Sequence, residues 1–224
     1  MQVFSLPVRV RGIIFDIDGT LYRHEGYMKS QTRVQIERLA ARLGRPFEDV
    51  DREVRACAER LALENGGRKT SLANTLKTCF AIPVETSIAW REELLAPERY
   101  LGLDERLVET FRTLSERNIA TAAVTNNPGS IGRRTLAALG VERFFRIVIG
   151  LERTGISKPA LEPFRLASRE LGMAFSELVN VGDRRHVDLE LPLAAGLGGI
   201  LVESMEDLYA LPDTLADRID PGTV

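Results

Sequence analysis

The chain has 224 residues, 44% hydrophobic and 28% charged, an ordinary globular composition with material for one domain or for one domain bearing an insertion. A formal charge of −2 gives no general attraction to a phosphate backbone, which argues against a nucleic-acid partner and leaves room for one local site that binds a small phosphorylated ligand. No apolar run approaches the ~20 residues that span a bilayer, the N-terminus lacks a signal-peptide core, and Cys57 and Cys79 form no C-x-x-C pattern. The expectation is a cytoplasmic protein with no membrane association, structural disulfide framework or zinc knuckle.

The first strand is Ile13-Ile14-Phe15, and it stops at Asp16-Ile17-Asp18-Gly19-Thr20 because Asp and Gly are poor strand residues. In extended backbone Asp16 and Asp18 face the same way, roughly 6.6 Å apart. That is too wide for a proton shared between two carboxylates, yet suited to flanking a phosphoryl group. A turn role serves the same residues, and the pair alone does not decide.

Roughly eighty residues then separate this turn from the next core helix, too many for a plain crossover. Within them Ile36-Leu39-Ala40-Leu43 and Val50-Val54-Cys57-Leu61 each mark one helical stripe, with further helical character over Leu72–Phe80 and Thr86–Leu95. Gly66-Gly67 and Ile82-Pro83 are the breaks. Residues 23–97 therefore read as an inserted α-helical cap domain, and residues 1–22 with 98–224 as the core.

In the core, the segments 119–125 (IATAAVT), 147–150 (IVIG), 178–182 (LVNVG) and 199–202 (GILV) are continuously apolar, as strands covered on both faces are. Leu107, Phe111 and Leu114, and later Phe164, Ala167 and Leu171, carry helical spacing between them. Alternating strand and helix predicts an α/β fold, a doubly wound parallel sheet with right-handed crossovers.

Each of three later turns carries a candidate. Thr125-Asn126-Asn127-Pro128-Gly129 leads into a helix, with Pro128 suited to its first turn and Thr125 and Asn126 placed where backbone N–H groups gather to meet anions; ordinary N-capping is the structural alternative. Lys158, before Pro159, suits a phosphate or a developing negative charge, or else a solvated surface. Asp183, followed by Arg184, Arg185, His186 and Asp188, would meet Asp16 if their strands are neighbours. Clustered carboxylates need a proton or a cation between them, and oxygen-only ligands point to Mg²⁺. Each signal is weak singly; their ordered recurrence at strand carboxyl ends decides for function.

Together, Asp16-x-Asp18-Gly-Thr-Leu, Thr125-Asn126, Lys158-Pro159 and Gly182-Asp183-x₄-Asp188 resemble the four motifs of the haloacid dehalogenase superfamily. The resemblance implies a Rossmann-like core and a phosphatase that forms an aspartyl-phosphate with Mg²⁺. It implies Asp16 as nucleophile, Asp18 as general acid/base, and Lys158 as the neutralising charge. Thr125, Asn126 and Gly19 would bind the phosphoryl group, and Asp16, Asp18, Asp183 and Asp188 the metal. The helical insertion is similar to the cap of the phosphoglycolate phosphatase, β-phosphoglucomutase and pyrimidine 5′-nucleotidase branch, so the expected partner is a small phosphorylated metabolite, nucleoside monophosphate or phosphoglycolate-like, met by a monomer or homodimer. His24, Asn65, Arg68 and Lys69 are candidate ligand contacts, each also suited to a solvated surface. A phosphomutase and a non-catalytic phosphate-binding regulatory module remain the alternatives, and a phosphonatase would need a cap lysine such as Lys29, Lys69 or Lys77. Arg184 departs from the small residue that many relatives carry; it reads as the start of a solvated helix or as charge beside the metal.

Overall fold

A computed structural model describes residues 1–67 and 70–219. It divides into two compact units, Met1–His24 with Ala96–Val224, and Glu25–Leu95. The first unit holds a six-stranded sheet of β1 (Gln2–Val3), β2 (Gly12–Phe15), β3 (Ala120–Val124), β4 (Phe145–Ile149), β5 (Leu178–Gly182) and β6 (Gly198–Leu201). The spatial order is β1-β6-β5-β2-β3-β4, with β2 central and parallel to both β3 and β5. Only β1 runs antiparallel, pairing Gln2 with Leu201 at the edge. Two residues leave no periodicity, so this strand has no signature in the sequence.

The strands read as unbroken apolar runs because both faces are covered. Ile14, Ala122, Val124, Ile147 and Ile149 pack with Phe164, Ala167 and Leu171. One position along β2, Phe15 meets Phe111 and Phe145 at ring-centroid distances of 5.1 and 5.8 Å. Fully burying each such side chain contributes ~1.5–3 kcal/mol.

The second unit consists of α1 (Glu25–Leu43), α2 (Phe47–Glu64), α3 (Leu72–Phe80) and α4 (Val84–Leu94). Their apolar stripes meet in a core of Ile36, Leu39, Val50, Val54, Leu76, Ile82 and Trp90. A buried polar link joins the first and last helices, where Gln35 Oε1 accepts from Ser87 Oγ at 3.2 Å and Arg91 Nε at 3.1 Å. Cys57 on α2 and Cys79 on α3 are disulfide-bonded, with Cα atoms 6.6 Å apart. This corrects the expectation that no structural disulfide forms. Packing of α2 on α3 brings the two sulfurs together, which a 22-residue separation does not announce. Among the described residues no helix is long and apolar enough to cross a membrane.

The remaining helices of the first unit are α5 (Glu105–Glu116), α6 (Gly129–Ala138), α7 (Leu151–Thr154), α8 (Glu162–Leu171), α9 (Glu190–Ala194), α10 (Met205–Tyr209) and α11 (Leu211–Thr214). Asp104 starts α5 by accepting the Leu107 N–H at 2.9 Å. Gly172, in the left-handed region at φ +67, ends α8.

Candidate active site

Strand register assembles the site. Phe15 pairs with Ala123 on one side and Val181 on the other, so Asp16, Thr125 and Asp183 all emerge within about a residue of each other at the carboxyl edge of the sheet. This edge is where ligands bind in open α/β sheets. Asp16 N–H still donates to Val181 O at 2.9 Å, which ties its backbone into the ladder while its side chain leaves the sheet.

Lys158 is the centre of the cluster. Its Nζ donates to Asp16 Oδ1 at 2.5 Å and to Asp188 Oδ1 at 2.7 Å, with all three side chains buried. The lysine arrives on the loop after α7, and Asn126 fixes that loop. Asn126 Oδ1 accepts from Lys158 N–H at 2.7 Å and Asn126 Nδ2 donates to Lys158 O at 3.3 Å. The Asn126 side chain is thus engaged with backbone. Asp16 Oδ2 accepts from Thr20 Oγ1 at 3.1 Å.

Asp16, Asp183 and Asp188 each present a carboxylate oxygen, all within 4.8 Å of one another. Burial pushes the Asp16 carboxyl up to about 7; Lys158 opposes the shift, and Asp188 adds to it. Burial likewise raises Asp183, against Arg184. For Lys158 burial pulls downward, but Asp16 and Asp188 outweigh it and hold the ammonium above its ordinary value. Two buried acids and the partly buried Asp183 outnumber Lys158 and Arg184 and leave an excess of negative charge. Asp183 Oδ1 is moreover buried and accepts no hydrogen bond among the described residues. An all-oxygen anionic donor set with an unsatisfied oxygen fits a hard divalent cation.

Asp18 lies outside that trio. Its Oδ2 accepts from Asn127 Nδ2 at 2.9 Å and Thr125 Oγ1 at 3.3 Å, and its Oδ1 from the Tyr22 hydroxyl at 2.5 Å. Gly19 turns the chain directly after Asp18 at φ +89, and a β-carbon there would lie 2.5 Å from Asp183 Oδ2. Glycine is needed both for the turn and for the close approach.

Asp183 is followed by a π-helical turn, Arg185–Leu189, which brings Asp188 back toward Lys158; such turns recur at functional sites. Arg184 N–H donates to Asp188 Oδ2 at 3.0 Å, and Asn180 Nδ2 holds Asp188 O at 2.6 Å. Arg184 stands at the N-cap of this turn, and its exposed side chain lies beside the acids, with Nε 3.5 Å from Asp183 Oδ1 and 4.0 Å from Asp188 Oδ2. Arg185 instead covers the Phe4 ring at 5.1 Å. Pro128 stands at the N-cap position of α6, just outside its first turn, and Glu152 Oε2 accepts the Gly129 N–H at 2.9 Å.

The other candidates are not part of this cluster. His24 packs edge-to-face on Tyr100 at 5.7 Å. Asn65 caps α2 with its backbone N–H, and Lys29 pairs with Glu25 on the surface of α1. Arg68 and Lys69 lie outside the described residues. Thr20, Tyr22, Asn127 and Asn180 are contacts that the sequence reading did not assign. Asn180 alone carried a signal, a polar residue inside an otherwise apolar strand.

Fold and site together define an α/β enzyme with a buried carboxylate–lysine centre at the sheet's carboxyl edge. The haloacid dehalogenase-like hydrolase family matches residues 10–196. A phosphoglycolate phosphatase of Pectobacterium atrosepticum is 29% identical, over 93% of this chain and 89% of its own length. A ribulose-1,5-bisphosphate 5-phosphatase of Halopiger xanaduensis is 28% identical over 92% and 89%, and a glyceraldehyde 3-phosphate phosphatase of Methanocaldococcus jannaschii 25% over 89% and 87%. Among solved structures, a HAD phosphatase from Thermococcus onnurineus shares the fold at a TM-score of 0.62 and 21% identity, covering 94% of this chain and all (100%) of that one. The chain belongs to the haloacid dehalogenase-like hydrolase family.

Proposed function

We propose that this enzyme is a Mg²⁺-dependent phosphatase that removes the phosphoryl group of a small phosphomonoester by way of an aspartyl-phosphate on Asp16. The observation that carries the reading is the close grouping of Asp16, Asp183 and Asp188, with the buried Lys158 paired to Asp16 and Asp188. Mg²⁺, held by Asp16, Asp183 and Asp188 with Asp18 assigned to the same shell, would neutralise the phosphate dianion and polarise its P–O bonds.

In the first half-reaction an Asp16 carboxylate oxygen attacks phosphorus, the P–O bond to the substrate breaks, and Asp18 passes a proton to the departing alkoxide. Lys158 offsets the charge shared between nucleophile and phosphate. Thr125, Gly19 and the backbone at Asn126 are assigned to the phosphoryl oxygens. In the second half-reaction Asp18 takes a proton from water that attacks the acyl phosphate, releasing inorganic phosphate and restoring Asp16.

The relatives' names favour a short phosphorylated acid or sugar over a nucleoside monophosphate, and water over a sugar as the final acceptor. A division into a catalytic core of residues 1–22 with 98–224 and a substrate-selecting cap of residues 23–97 is part of the same proposal. Phosphate release from a panel of phosphoglycolate, phosphosugars and nucleoside monophosphates, with and without Mg²⁺, tests it. The expected result is Mg²⁺-dependent turnover that Asp16→Asn reduces to background. Equal turnover by Asp16→Asn would remove the nucleophile assignment.

A further inference from the structure

We infer that Tyr22 is a positioning residue whose hydroxyl aims the Asp18 carboxyl for proton delivery to the leaving alkoxide. The inference rests on the phosphatase reading and adds a residue to it.

Three features of the loop after β2 carry it. The Leu21 N–H returns to Ile17 O at 2.9 Å and the Thr20 N–H to the same oxygen at 3.3 Å, so the chain folds back within one turn. Asp18 and Tyr22 then lie side by side as a backbone bridge. Tyr22 is 3% exposed, and its hydroxyl donates to Asp18 Oδ1 at 2.5 Å.

The opposite oxygen, Oδ2, is held by Asn127 Nδ2 at 2.9 Å. The terminal torsion of an aspartate is broad and nearly two-fold, so a carboxyl held by one oxygen can still swing its plane. Donors on both oxygens, arriving from two different loops, stop that rotation. Proton transfer needs heavy atoms within about 2.6–3.2 Å, so a carboxyl free to rotate transfers less often.

Tyr22 and Asn127 differ in what else they touch. The Asn127 N–H also donates to Thr125 Oγ1 at 3.1 Å, so changing Asn127 disturbs a residue assigned to the phosphoryl group. Tyr22→Phe deletes one oxygen and keeps the ring in its buried place. That makes Tyr22 the cleaner handle on Asp18.

The test uses leaving-group chemistry. An alkyl phosphate expels a strongly basic alkoxide and needs the proton; p-nitrophenyl phosphate expels a stabilised phenolate and needs it far less. Comparing kcat/KM confines the reading to steps up to transfer onto Asp16, so the hydrolysis common to both substrates does not mask the difference. For Tyr22→Phe the expected result is a roughly 10–100-fold fall in kcat/KM on the alkyl phosphate, part of the ~10²–10⁴ that general acids supply, with less than about a threefold fall on the aryl ester. Asp18→Asn should show the same asymmetry, larger. Should Tyr22→Phe not fold, Tyr22→Met fills the space with a flexible chain lacking a donor and is read identically. Equal losses on both substrates, or none on either, overturn the inference while the phosphatase reading stands. If the unaltered protein releases no phosphate from either ester, that reading fails and the inference with it.

Discussion

Arg184 is a cation beside the acidic cluster that is not buried with it. Its side chain is 45% exposed, with Nε 3.5 Å from Asp183 Oδ1 and 4.0 Å from Asp188 Oδ2. Burial pulls its guanidinium downward, but Asp16, Asp188 and Asp183 hold it above its ordinary value. Any divalent ion on those carboxylates meets the repulsion of a charge already there. At 4 Å and an effective dielectric of 20 that repulsion is about 4 kcal/mol per unit charge, and exposure and salt reduce it several-fold. What remains corresponds to about a tenfold weakening of metal affinity. Arg184→Ser is therefore expected to tighten Mg²⁺ binding about tenfold, measured by calorimetric titration of metal into the protein. Unchanged or weaker binding would make Arg184 a bystander.

At the scale of elements, the disulfide joins α2 to α3. In the chain-entropy account, a loop of 22 residues closed in this way stabilises the fold by about 3 kcal/mol. For a chain of this size that is roughly 6–12 °C in melting temperature. Reductant should lower the melting temperature by that amount, Cys57→Ser should melt low with or without reductant, and thiol titration of the oxidised protein should find no free sulfhydryl. A melting temperature indifferent to reductant would mean that the bond does not hold the helices together.

The helices that carry these cysteines were legible, because Val50-Val54-Cys57-Leu61 repeats at the helical period; their pairing was not, because it depends on which faces meet in space. The same division runs through the core. Asp16, Lys158 and Asp183 were readable because each ends an apolar run or sits in a turn beside one. Thr20 and Asn127 read only as parts of turns and Tyr22 carried no assignment, since a hydroxyl or amide gains meaning only when register and a tight turn place it against a particular carboxylate. The five parallel strands followed from alternation, whereas their spatial order and β1, too short to have a period, did not; Arg184 starts the π-helical turn and also sets its guanidinium beside the acids, the two roles its position offered.

Over the whole molecule, the buried acids of the core make stability depend jointly on pH and on the cation. Burial pushes the Asp16 carboxyl up to about 7 in the folded protein, from its ordinary 3.8. A folded value raised in this way contributes stability that is complete below the unfolded value and is lost as pH rises through the folded one. Asp183 is raised in the same direction by burial. Lys158, also raised, contributes stability that is lost only above its ordinary 10.5, and the paired surface acids held below 4.5 titrate far on the acid side, so neither intrudes between pH 6 and pH 8. Across that window the unfolded Asp16 is fully ionised while the folded one gives up its proton, a loss on the order of 1 kcal/mol. The metal-free protein should therefore melt a few degrees lower at pH 8 than at pH 6. Mg²⁺ at pH 8 should restore the difference, because the ion takes the place of the proton on the same oxygens, and Asp16→Asn should flatten the pH dependence by removing the titrating group. Scanning calorimetry of the chelator-treated protein at the two pH values, with and without Mg²⁺, measures all of these; a metal-free protein more stable at pH 8 than at pH 6 would mean that the cluster is neutralised by its own lysine and arginine and has no electrostatic need of a cation.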